Sequence, residues 1–74
     1  MADDRKARGD LNLAIYKRGL VRLTKNATLF DEAQTHYEKA LRIWLPEKAL
    51  FSWANTIGGL GELALDRFAL DQNL

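Results

Sequence analysis

Few residues of this chain have types and spacings that could do chemistry. His36 is the only histidine, it sits four residues after Glu32, and the chain has no cysteine. A histidine–carboxylate pair needs a nucleophile to make a dyad. The only serine, Ser52, reads instead as a helix cap. The segment Gly59-Leu60-Gly61-Glu62-Leu63-Ala64 matches G-x-G-x-x-A. A dinucleotide loop of that form follows a strand and has an acidic residue about twenty positions on, and here the preceding segment reads as helix. Lys17, Arg18, Arg22 and Lys25 make a basic face near Tyr16, a type of surface that contacts phosphates or solvates a helix end. Asn26-Ala27-Thr28 has the pattern of a glycosylation sequon. Trp44 and Trp53 flank Pro46 and read as a packed corner. No catalytic residue, cofactor site or metal site is expected, and the chain is read as non-enzymatic.

Composition narrows the class further. The chain has 74 residues, 47% hydrophobic and 28% charged, with a net charge of +1. That is one small globular domain with no excess of positive charge for nucleic acid. No apolar run approaches the ~18 residues of a membrane span, and the acidic start Met1-Ala2-Asp3-Asp4 is not a secretory signal. The expectation is a cytoplasmic protein with no membrane partner. A core of this size rarely supplies more than about 3–5 kcal/mol, so very good helix packing, a second chain or a longer parent protein is called for.

The elements that position these residues read as three helices, an all-α chain. Residues 1–9 are expected to be a flexible charged arm, and residues 10–74 one helical domain with helices at about 10–25, 29–45 and 47–70. Asp10 is the expected N-cap of the first helix and Thr28 that of the second. Leu13, Tyr16, Leu20, Leu23 and Ala27 repeat at spacings of three and four and form one apolar stripe. The second helix carries Phe30, Ala33, Tyr37, Ala40, Leu41 and Trp44 on one face, and Leu45-Pro46 ends it. In the third, Leu50, Trp53, Ile57, Leu60, Ala64 and Phe68 share a face, with Leu63 and Leu70 off it. Gly58, Gly59 and Gly61 each cost about 1 kcal/mol against alanine in a helix, so they imply either close helix approach or a break at Gly58-Gly59. Charge is uneven. Residues 1–25 hold seven basic and three acidic groups, a balance of +4, and residues 26–74 hold four and seven, a balance of −3.

An internal repeat adds a family likeness. Ile15, Arg18-Gly19 and Arg22, then Ala33, Tyr37 and Ala40, then Pro46, with a second start at Ile57, Leu60-Gly61 and Ala64, resemble the tetratricopeptide repeat. Gly19 and Gly61 are 42 residues apart, as in the longer repeats of kinesin light chains and related bacterial proteins, against about 34 in the standard unit. The likeness covers about one and a half repeats. Arg18 and Arg22 depart from it, standing where the family usually has apolar groups.

The resemblance implies a right-handed helical hairpin plus one extra helix, a fragment of an α-solenoid. It implies packing roles for Gly19, Ala33, Tyr37, Ala40 and Gly61. It also implies a scaffold function, with Leu13, Tyr16, Leu20 and Leu23 of the first helix and Asn55, Glu62 and Leu65 of the third lining a groove for a protein or peptide. Plain periodicity instead puts the Leu13–Leu23 stripe in the core. Two rival readings stand beside the scaffold. One is a truncated or engineered repeat fragment whose main property is homo-oligomeric assembly. The other is a nucleic-acid-binding helical module using the basic first helix.

Overall fold

The computed structural model describes residues 2–72, without the side chains of Ala2, Leu70 and Gln72. Met1 of the expected arm and Asn73 and Leu74 of the expected domain lie outside the described residues. The chain forms three α-helices, α1 (Ala2–Thr24), α2 (Ala27–Ile43) and α3 (Leu50–Gln72), and there is no strand among the described residues. The particle measures 43 × 18 × 13 Å, longer than the roughly 35 Å of one 23-residue helix at 1.5 Å per residue. The middle helix is α2, which packs along α1 and along part of α3, whereas α1 and α3 meet only sparsely.

The expected arm is helix instead. Asp3 and Asp4 lie in the first turn of α1, where carboxylates favour the positive helix end, and Ala7 is fully buried against Ala40 and Trp44. The indole N–H of Trp44 donates to Asp4 Oδ1 at 2.8 Å and ties the first turn of α1 to the end of α2. Asp10 is therefore no cap: it lies mid-helix, with Oδ1 3.0 Å from His36 Nδ1.

Thr24 ends α1 because Lys25 turns left-handed, at φ 55°. Asn26, rather than Thr28, caps α2. Its backbone is extended and its side-chain oxygen accepts from the Thr28 N–H at 2.9 Å. The second helix stops at Ile43, two residues before Leu45. Trp44 still donates its N–H to Ala40, and a turn through Pro46 brings the Lys48 and Ala49 N–H groups back to Leu45 O. The start of α3 is Leu50, with Trp53 N–H bonded to Ala49 O, so neither Glu47 nor Ser52 opens it. It runs unbroken through Gly58, Gly59 and Gly61.

One core cluster joins Ala14 and Val21 of α1, Phe30, Ala33 and Tyr37 of α2, and Leu63 of α3. A smaller one joins Ala7, Ala40 and Trp44. Tyr37, fully buried between Ala33 and Ala40, fills the space those small residues leave, as their spacing predicts. The faces expected for α1 and α3 need correction. On α1 the buried positions are Ala7, Ala14 and Val21, spaced by seven, and the Leu13–Leu23 stripe is turned away from them. On α3 the buried positions are Thr56 and Leu63, whereas Leu50, Ile57 and Phe68 are exposed. Thr56 satisfies its buried hydroxyl by donating to Ser52 O at 2.8 Å. The side chain of Leu70 lies outside the described set.

The glycines are corrected in the same way. A Cβ added at Gly19 or Gly61 meets nothing within 4 Å, so neither marks a close approach within the chain. The close approach is at Gly59, where a Cβ would stand 2.8 Å from Tyr37 Cε1 and Oη. Only hydrogen fits there, because the edge of the Tyr37 ring lies against the α3 backbone.

Candidate functional site

Two kinds of surface stand out. The first is a shallow groove between α1 and α3, of about 200 Å3, with Tyr37 and Gly59 at its floor. Leu11 and Ile15 form one wall, and Asn55 and Glu62 belong to the other. Toward the far end of α1 two ion pairs bridge the same helices. Arg18 Nη1 lies 2.8 Å from Glu62 Oε2 and Arg22 Nε 3.1 Å from Asp66 Oδ2. Both partners step by four residues, so the pairs form two rungs between helices running the same way.

The sequence-predicted groove residues divide. Asn55 and Glu62 line this groove. Leu65 is exposed but is not among the groove's lining residues. Leu13, Tyr16, Leu20 and Leu23 do not line it either. At 100° per residue, they lie about 140° around α1 from both the groove side and the buried Ala7–Ala14–Val21 line. Leu11 and Ile15 take their place. The signal for them was their spacing with Arg18 and Arg22, four and three residues apart, which marks one helix face.

The second kind of surface is apolar and outward-facing. On α1, Tyr16 is 63% and Leu23 83% exposed. On α3, Leu50 is 58% and Phe68 63% exposed, with Ile57 between them. A pocket of about 350 Å3 opens beside this α3 face, bounded by Phe30, Leu60, Ala64 and Phe68. Arg67 borders it too. Its guanidinium lies 5.8 Å from the Phe30 ring centroid, and its Nη1 is 3.0 Å from Asp31 Oδ1.

The candidate chemical residues are engaged structurally. His36 is half-buried between α1 and α2, with Nδ1 on Asp10 and Nε2 3.2 Å from Lys17 Nζ. Lys17 also approaches Glu32 at 3.7 Å. Three of the four cations of the basic face, Lys17, Arg18 and Arg22, thus stand against carboxylates, and contact with phosphates would compete with those pairs. The Gly59–Ala64 motif lies inside α3 with no strand before it, which removes the dinucleotide-loop geometry. Trp44 is the packed corner expected of it. Among the described residues no cluster of histidine and acidic side chains could hold a metal ion, and no helix is long and apolar enough to cross a membrane.

Two groups are electrostatically displaced. The Trp44 indole N–H, helped by Arg8, holds the Asp4 carboxyl below its ordinary range. Burial pushes the Tyr37 phenol up. Its hydroxyl is buried with no hydrogen-bond partner.

Compared with known protein families, curated proteins and solved structures, the chain matches none of them.

Proposed function

We propose that this chain is a non-enzymatic protein–protein interaction module of tetratricopeptide-like type, a scaffold that works through the outer faces of its first and third helices. The observation that carries this reading is the pair of exposed apolar stripes, Tyr16 and Leu23 on α1 and Leu50 and Phe68 on α3. Monomeric proteins rarely leave contiguous apolar surface of this kind uncovered, and such patches mark interfaces. The groove above Tyr37 supports the same reading as a place for an extended peptide. Leu11 and Ile15 would give it apolar contact, and Asn55 and Glu62 would set its register. No cofactor takes part. A cytoplasmic setting suits a chain of this composition without cysteine. The rival reading as a phosphate-binding module is weakened by the carboxylates that already hold Lys17, Arg18 and Arg22.

The test is Leu23→Glu, followed by far-UV circular dichroism and thermal melting. Retained helicity, with a melting temperature within a few degrees of the unmodified chain, is expected of an exposed interface residue. Unfolding would place that stripe in the core and end the reading.

A further inference from the structure

Four polar side chains interleave where α1 packs on α2. Asp10 and Lys17 stand about two helical turns apart on α1, and Glu32 and His36 about one turn apart on α2. His36 Nδ1 lies 3.0 Å from Asp10 Oδ1, and Nε2 lies 3.2 Å from Lys17 Nζ. Lys17 Nζ in turn lies 3.7 Å from Glu32 Oε2. The contacts run in one line, from carboxylate to ring to ammonium to carboxylate. The side chains of His36 and Asp10 are 16% and 12% exposed, so water cannot freely replace the contact between them.

Donor and acceptor capacity fixes the proton on the ring. A carboxylate only accepts and an ammonium only donates. Nδ1 must then carry a hydrogen for Asp10, and Nε2 must keep its lone pair for Lys17. That is a neutral imidazole with its hydrogen on Nδ1. A second proton can enter only at Nε2. Once there, it turns Nε2 from acceptor into donor and sets an imidazolium against an ammonium 3.2 Å away. Lys17 then has to leave the ring, and the exposed side chain of Glu32 stands 3.7 Å from it.

The other charges around the line do not compete. Lys6, Lys39 and Arg42 border Asp10, and Asp31 and Lys39 border Lys17, Glu32 and His36. All of these outer groups are exposed, where water and salt screen them. Asp31 is in addition held by Arg67 at 3.0 Å. Both depressions beside the line are bordered by α1 and α2 alone, without α3.

We propose that His36 is a proton-operated selector of the partner of Lys17. With the ring neutral, Lys17 donates to Nε2 and the Glu32 carboxylate is offered to solvent. With the ring protonated, Lys17 moves onto Glu32, while Asp10 keeps Nδ1 in both states. Acidification thus pairs off a surface carboxylate of α2 without opening the contact between α1 and α2. The device goes beyond the interaction-module reading and does not depend on it.

Nuclear magnetic resonance on the isotope-labelled chain tests this. His36 is the only histidine, so its ring nitrogens are identified without ambiguity. At about pH 8 the long-range nitrogen–proton spectrum should show hydrogen on Nδ1 and a lone pair on Nε2. Acidification to about pH 5 spans the range over which imidazole ordinarily titrates. Nε2 should gain its proton, and the Lys17 Cε and Glu32 Cδ signals should shift in step with it. In Lys17→Met the ring should still titrate while Glu32 no longer follows.

A neutral ring with its hydrogen on Nε2 would overturn the proposal. So would a Lys17 signal that stays still while the ring gains its proton, or a ring that takes up no proton before the helices unfold. A Glu32 response that survives in Lys17→Met would show the carboxyl responding without Lys17, and would overturn it too. If circular dichroism shows Lys17→Met unfolded, the first three outcomes still decide, since they are read on the unmodified chain.

Discussion

Gly59→Ala is the sharpest probe of how α3 sits on α2. A methyl group at this position would lie 2.8 Å from Tyr37 Cε1, 2.8 Å from Oη and 2.9 Å from Cζ. Tyr37 is fully buried between Ala33 and Ala40, so its ring cannot swing aside, and α3 must move outward. Overpacking of this kind costs about 1–3 kcal/mol. Against it stands the helix preference for alanine over glycine, about 1 kcal/mol. Gly61→Ala supplies the control, since its Cβ meets nothing within 4 Å and gains the preference alone. The difference between the two variants cancels helix propensity and isolates the overlap, at about 1–3 kcal/mol. In a domain of this size each kcal/mol moves the melting temperature by roughly 4–8 °C. Thermal melts followed at 222 nm, at a concentration where the chain is a single copy, should show Gly61→Ala raised and Gly59→Ala lowered. Tyr37→Phe should restore only part of the loss in Gly59→Ala, because Cε1 and Cζ remain close. Alone, it should cost little, because it deletes a buried hydroxyl that has no partner. Equal shifts in the same direction for the two glycine variants would refute this account of the α2–α3 contact.

Two further outcomes are expected. Lys25 holds a left-handed backbone at φ 55°, so Lys25→Gly should raise stability by about 1 kcal/mol in urea unfolding; a loss would show that the Lys25 side chain stabilises the turn more than its backbone strains it. The Asp4 carboxyl is held below its ordinary value by the Trp44 indole and Arg8, so its contribution is fully present above the unfolded-state value of 3.8 and fades as pH falls through the lower folded-state value. In a Trp53→Phe background the Trp44 fluorescence should therefore change only below pH 3.8, and Asp4→Asn should abolish the change; a midpoint above that value would contradict the bond.

How much of this was legible beforehand depended on the helix. In α2, apolar residues occupy one face only, and periodicity found Phe30, Ala33, Tyr37, Ala40 and Trp44 as they stand. In α1 the most apolar stripe, Leu13 to Leu23, is the exposed one. The buried line is built largely of alanine, at Ala7, Ala14 and Val21, which weighs little in a hydrophobic pattern but lets helices approach closely. In α3 the buried positions are Thr56 and Leu63, with half-buried Gly59 between them, beneath a richer apolar face, and the error repeats for the same reason. Caps were misplaced by two residues at Asn26 because Asn and Thr both cap well and only geometry decides between them. Of the residues lining the groove, Leu11 and Ile15 are hidden by the choice of the more apolar face on α1. The pairing of Arg18 and Arg22 with Glu62 and Asp66 needed the parallel arrangement of α1 and α3, which no local pattern contains.

The misread faces are themselves informative. The middle helix α2 packs on both of its neighbours with a single apolar face. The outer helices each carry a second stripe, richer in large side chains than the face they bury. Folding within one chain does not require it, since removing Leu23 or Phe68 from water plays no part in the core. Leaving such side chains exposed gives up the roughly 25 cal/mol per Å2 that burial would return. These exposed stripes are the surface on which the proposed interaction function rests.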